Sequence, residues 1–205
     1  MPFTENNYEK ALIALFENMG YQYLYGPNIE RDYSLPFYEE QVVDSLCTVN
    51  PKKPITAIRE AVAKLKNIET GSLIQKNELF MDYLQHGIEV SFHDGEEMCH
   101  EIVYLIDYKN IKRNQFQIIN QWTFVEHSEK RADLVVFING LPLVVIELKS
   151  PSREETDASE AYRLRETVSF LICTCTLLKM LLSKHCPILK GIIEKWYLRI
   201  CFYQV

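Results

Sequence analysis

The segment RADLVVFINGLPLVVIELKSP, Arg131 to Pro151, constrains the fold more than any other part of the chain. Two β-branched, apolar runs, 132–138 and 143–149, flank Asn139-Gly140, a residue pair that favours a tight hairpin turn. Three charges interrupt these runs: Asp133 in the first, Glu147 and Lys149 in the second. A charge inside an apolar strand is costly unless it is paired or does chemistry, so these three need a physical reason.

Successive strand side chains alternate faces, so Glu147 and Lys149 are expected on one face with Leu143 and Val145, and Ile146 and Leu148 on the other. A regular two-residue loop pairs Ile138 with Leu141 and sets Asp133 opposite Ile146, on the wrong face. A bulge after the turn, or a three-residue loop, pairs Asp133 with Glu147 and Arg131 with Lys149. Pro142 has no N–H to give the ladder immediately after a turn, which favours the bulged or longer loop. That version is the expected one, and a hairpin with regular pairing throughout would dismantle the site.

The residue types point to phosphodiester hydrolysis. That reaction needs charge relief on a non-bridging oxygen, a deprotonated water and a stabilised leaving oxygen, and Mg²⁺ held by carboxylates serves all three needs. Asp133 and Glu147 are the candidate metal ligands, and Lys149 the point charge that orients water or stabilises the pentavalent phosphorus. The plain alternative is a surface hairpin in which Glu147 and Lys149 form a solvated pair, which contributes little to stability.

The spacing D-x13-E-x-K resembles the PD-(D/E)xK nuclease motif, and the string from Asn120 to Pro151 is similar to the amino-terminal nuclease domain of type I restriction enzyme R (motor) subunits. The resemblance extends through GYQYLYGPNI (Gly20 to Ile29), CTVNP (Cys47 to Pro51), ITAIREAVAKL (Ile55 to Leu65), NELFMDYLQHGIEVSF (Asn77 to Phe92) and IDYKNIKRNQFQIINQ (Ile106 to Gln121), covering about residues 1–162. It implies an α/β fold: a restriction-endonuclease-like core with a central mixed sheet flanked by helices and a helical insertion at about 32–87. It also implies Mg²⁺ as cofactor, double-stranded DNA as substrate, modification and specificity subunits as partners, and an acidic residue from the first helix. Glu9 is the candidate for that acid and Glu5 competes with it; for either, the ordinary reading is a solvent-facing helix glutamate.

Two features depart from the family pattern. Ala132 stands where Pro commonly precedes the catalytic Asp, which leaves the ligand itself in place. The Q-x3-Y motif expected on the following helix is missing, since no Gln occurs between Gln121 and Gln204, and Tyr162 therefore inherits no role. That absence supports a second reading, a non-catalytic nuclease-like module that docks to DNA or to partner subunits. A third, another PD-(D/E)xK enzyme such as a repair nuclease, is disfavoured by the matching segments between Asp32 and Asn110.

A net charge of -6 is unusual for a protein whose whole surface clings to DNA, but a nuclease needs only a local basic rim around an acidic centre. Lys52-Lys53, Lys109 with Lys112 and Arg113, and Lys130-Arg131 are candidate rims, against ordinary solvated loop charge. Six cysteines and no signal-peptide pattern suggest reduced thiols and a cytoplasmic setting. Cys173 and Cys175 with His185 and Cys186 lack a usual zinc-finger spacing and read better as small apolar residues. His93, His100 and His127 have no partner spacing that marks catalysis.

Along the chain, a helix is expected over 5–19 with Ala11, Leu12, Leu15, Phe16 and Met19 on its apolar stripe, then helices over 37–46, 55–68 and 78–86. Strands are expected at 88–92, 101–106 and 116–124, the first two separated by His93-Asp94-Gly95 and all continuous with the hairpin sheet. Residues 163–205 differ in kind, being rich in Leu, Ile and Cys, and read as a divergent or non-native apolar tail. Its apolar core, 168–182, is short of the roughly twenty residues that cross a bilayer and carries Lys179, so no membrane span is expected. The chain also lacks the G-x4-GK[ST] phosphate loop, so ATP use is assigned to helicase domains outside it and the chain reads as the cleavage domain alone.

Overall fold

The computed structural model describes residues 5–68, 72–95, 97–125 and 128–148. Lys149, Tyr162, the cysteines at 173, 175, 186 and 201, His127 and the whole segment 163–205 lie outside the described residues.

The chain opens with α1 (Glu5–Asn18), which packs Tyr8, Leu12, Ile13 and Phe16 into the core. This stripe is shifted from the expected one: Ala11 is exposed, and Tyr8 takes its place one turn before Leu12. A strand the sequence pattern did not announce follows, β1 (Gln22–Tyr25). It is only four residues of mixed polarity, too short to show a period, and exists because β4 offers it a parallel partner.

Three helices come next: α2 (Glu39–Val49), α3 (Ile55–Lys66) and α4 (Leu73–His86). On α3 the buried residues Ala57, Ile58, Ala61, Val62 and Leu65 recur at helical spacing and make one face apolar. The helix α4 starts ahead of the expected Glu78, because Ser72 and Gln75 form a capping box in which the Gln75 N–H donates to Ser72 Oγ and the Ser72 N–H donates to Gln75 Oε1.

The strands β2 (Ile88–Asp94) and β3 (Glu97–Val103) pair antiparallel as a separate two-stranded ribbon, which corrects the expectation that they continue the hairpin sheet. The ribbon buries Val90 and Val103 against the helices and leaves Met98, His100 and Ile102 exposed, so it is a cover for the helical layer.

The main sheet has the order β1-β4-β5-β6, with β4 (Phe116–Val125), β5 (Glu129–Ile138) and β6 (Leu141–Ile146). The β1–β4 pair is parallel and the other two are antiparallel. One face, with Ile118, Leu134, Val136, Ile138 and Ile146, packs on Phe16, Leu46, Ile58, Val62 and Phe80 of the helices. The opposite face carries a smaller core of Ile119, Trp122, Phe124, Val135 and Phe137, closed by Ile29. Among the described residues no helix is long and apolar enough to cross a membrane.

Candidate functional site

The central strand β5 brings Asp133 into the middle of the sheet, and the β5–β6 turn decides what stands beside it. Asn139 (φ +54°) and Gly140 (φ +76°) both take the left-handed backbone that a two-residue turn of this twist demands. Ile138 pairs with Leu141 and Phe137 with Pro142, but the next pair is Val136 with Val144, so Leu143 is the extra residue of a β-bulge. Val135 then pairs with Val145 and Leu134 with Ile146, the last pair of the ladder, next to Asp133 on β5 and Glu147 just past β6. Val135 and Val145 border the smaller core while Leu134 and Ile146 enter the larger one. The bulge also moves Leu143 into the larger core with Ile146 and Leu148, away from the face it was expected to share with Val145.

Regular pairing stops at Ile146, and a side chain takes over: Asp133 Oδ2 accepts the Leu148 N–H at 2.7 Å. This bond pins the end of β6 to β5 just past the two carboxylates, both of which are half-buried. Lys149 would follow directly, but it lies outside the described residues.

On the other side of β5, Gln121 sits between the pairs Asn120–Leu134 and Trp122–Ala132, which makes it the β4 neighbour of Asp133. Gln121 has φ +53°, a left-handed conformation inside a strand. The kink shifts the alternation of β4 by one residue: Trp122 and Phe124 lie in the same core as Ile119, and Ala132 correspondingly joins Val135. Glu9 reaches this place from α1. Its Oε1 accepts Asn120 Nδ2–H at 2.5 Å and its Oε2 accepts Gln121 Nε2–H at 3.3 Å. The Tyr23 hydroxyl donates to Asn120 Oδ1 at 3.1 Å, and burial, with the Glu9 charge second, pushes its phenol above the usual tyrosine range.

Asp133 thus stands on β5 and Glu147 one residue past the end of β6, with the Asp133–Leu148 hydrogen bond tying the two segments, and Glu9 is bound to β4, the strand flanking Asp133. Glu5 begins α1, but its side chain lies outside the described residues. Among the described residues no group of three or more His, Cys, Asp or Glu side chains converges as a metal cage. Two hard carboxylates nonetheless suit Mg²⁺, which keeps several waters and takes one or two protein carboxylates. Asn120 and Gln121 were not singled out from the sequence, although two adjacent amides in the run Phe116 to Phe124 were the available signal.

Of the basic rims, Lys53 pairs with Glu101 and Arg113 with Asp107, whereas Arg131 is exposed on β5 two residues from Asp133. His100 Nδ1 shares a hydrogen bond with Ser91 at 2.8 Å and His93 is exposed, both on the ribbon. A cleft of about 530 Å³ lies elsewhere, lined by Glu30, Asp32, Glu39, Glu40 and Asp44 with Arg31 and Arg59; its acidic wall would repel a phosphate backbone.

A four-stranded mixed sheet backed by helices, with acidic residues where β6 leaves β5, defines a restriction-endonuclease-like protein. The sequence matches the family described as Type I restriction enzyme R protein N terminus (HSDR_N) over residues 2–174, past the boundary near 162 that the residue pattern suggests. The chain belongs to that family, the amino-terminal region of type I restriction enzyme R subunits. It is 30% identical over 173 residues to the type I restriction enzyme HindI endonuclease subunit of Haemophilus influenzae, covering 80% of this chain and 16% of that protein. It is 28% identical over 169 residues to the putative type I restriction enzyme MjaIXP endonuclease subunit of Methanocaldococcus jannaschii, covering 78% of this chain and 16% of the relative. It is also 30% identical over 158 residues to the EcoprrI endonuclease subunit of Escherichia coli, covering 71% and 44% respectively. The chain thus spans 16% of the length of the first two relatives.

Proposed function

We propose that this chain is the DNA-cleaving domain of a type I restriction R subunit, hydrolysing phosphodiester bonds of double-stranded DNA with Mg²⁺. The observation that supports this reading is the bulge at Leu143, which pairs Leu134 with Ile146, the residues next to Asp133 and Glu147. Asp133 and Glu147 would hold the cation, and their chemistry fits it: two carboxylates at a half-buried strand end, one of them oriented by the Leu148 N–H. Bound there, Mg²⁺ supplies charge relief at phosphorus and an activated water. Lys149, two residues beyond Glu147, contributes a point charge toward the phosphoryl oxygens, and Glu9 adds a third acidic group. Arg131 supplies part of the basic rim that meets the DNA backbone.

In the assembled enzyme, modification and specificity subunits and ATP-consuming helicase domains would deliver the DNA, in a cytoplasmic setting. The competing reading is a docking module without cleavage, favoured by the missing Q-x3-Y motif. Anomalous diffraction from Mn²⁺-soaked crystals of the wild type and of Asp133→Ala separates the two. A peak between Asp133 and Glu147 that vanishes in the variant is the expected result. No peak, or one indifferent to the substitution, would leave the docking module.

A further inference from the structure

Asn139-Gly140 is the one Asn-Gly pair in the chain, and the fold leaves little freedom to replace it. Both residues hold left-handed backbone, at φ +54° and +76°, which Asn and Gly adopt with the least strain. Gly140 is fixed a second time by packing, because a Cβ there would stand 2.7 Å from the Val42 nitrogen of α2. Asn139 is fixed by its side-chain amide, which bonds Leu105, Asn114 and Gln115 in a fully buried site.

The same pair is chemically fragile in an open chain. The Gly140 main-chain nitrogen, on losing its proton, bonds to Asn139 Cγ; the Cγ–Nδ2 bond breaks and ammonia leaves. Water then opens the cyclic imide at one carbonyl or the other, leaving an aspartate or an isoaspartate. No side chain on Gly140 obstructs the attack. The folded turn opposes it, since the amide that must swing back onto its own backbone is held by three hydrogen bonds to other segments, and the Asn139 N–H is bonded to the Gln115 carbonyl.

We propose that Asn139-Gly140 is a deamidation site gated by the fold: protected while the turn is closed, reactive whenever it opens, and permanent in effect because neither product rebuilds the turn. An aspartate turns a charge toward the Leu105 carbonyl and Asn114 Oδ1. An isoaspartate adds a backbone carbon inside the loop that sets Ile138 against Leu141 and Phe137 against Pro142. Opening of the turn is thereby converted into lasting loss of the hairpin that carries Asp133, whether or not that hairpin binds a cation.

The test ages the whole chain in mildly alkaline buffer, native and in urea, and follows position 139 by peptide mapping with mass spectrometry. Conversion of amide to acid is expected to run at least about tenfold faster in urea, because in the native chain reaction waits on local opening. Asn114→Ala, which removes one partner of the Asn139 amide and leaves the reactive pair intact, is expected to convert faster than wild type in native buffer. For the effect on the fold, native wild type is aged just below its melting transition and given a brief protease pulse. The acid is expected only in the digested molecules, and the amide in those that survive. Equal rates in native buffer and urea would overturn the protection, and acid-bearing molecules that survive the pulse as well as intact ones would overturn the permanence. Both comparisons are made within the wild type, so they stand even where Asn114→Ala fails to fold.

Discussion

Asn139 is the residue on which the site's register depends, and the cost of removing it can be worked out from its contacts. It is fully buried at the β5–β6 turn; its Nδ2 donates to the Leu105 carbonyl at 2.8 Å and to Asn114 Oδ1 at 2.9 Å, and its Oδ1 accepts the Gln115 N–H at 2.8 Å. In Asn139→Ala the Leu105 carbonyl and the Gln115 N–H lose this partner, at about 1 kcal/mol each or somewhat more because both are shielded from water. Asn114 Oδ1 still accepts the Asp107 N–H at 2.8 Å, so the third loss is smaller. Alanine at φ +54° adds about 1 kcal/mol of backbone strain. The sum is about 3–4 kcal/mol, a large part of the roughly 5–15 kcal/mol available to a domain. Asn139→Gly loses the same bonds without the strain and should be milder by about 1 kcal/mol. Asn139→Asp should be worst, because it turns a carboxylate toward two oxygens in a closed site. Urea titrations of the three variants check this order, glycine mildest and aspartate most severe. Alanine and glycine variants within about 0.5 kcal/mol of wild type would refute the argument that this network holds the turn.

Asp133→Asn should separate folding from metal binding: its amide oxygen can still accept the Leu148 N–H, so stability should stay within about 1 kcal/mol of wild type while Mn²⁺ binding is lost, and retained binding by calorimetry would remove Asp133 as a ligand. Tyr108, which donates to the Leu84 carbonyl at 2.9 Å, has its phenol pushed by burial up to about 12 from an ordinary value of 10.0. Between those two values the unfolded chain gives up this proton while the folded chain keeps it, so stability from this group is present below 10.0 and is lost as the pH rises toward about 12. Tyr108→Phe should therefore show a shallower alkaline loss of stability, and an ultraviolet titration in which the slowest tyrosine is unaffected by the substitution would contradict this.

Residue order alone determined the parts of this protein that depend on near neighbours. The periodic apolar positions of α3, the Asn139-Gly140 turn, and even the need for a bulge could be read locally, because a period of two allows only one register to unite Asp133 with Glu147 and Pro142 disfavours the other. The capping box before α4 was equally readable from Ser72 and Gln75, and only the later start at Glu78 obscured it. Tertiary structure decided the rest. Four residues of β1 are a strand only because β4 lies alongside, and β2 with β3 stand apart from the main sheet because their apolar side is spent on the helices. Leu143 lies on the face opposite to the one that strict alternation gives it, because the bulge, once formed, changes that alternation. The kink at Gln121 lies among long-range contacts that no local pattern announces: a Cβ on Gly26, some ninety-five positions earlier in the numbering, would meet the Asn120 and Gln121 carbonyls, and both amides donate to Glu9. Side-chain periodicity is a property of short stretches, whereas a strained backbone and the carboxylate it serves are held in place by contacts between distant ones.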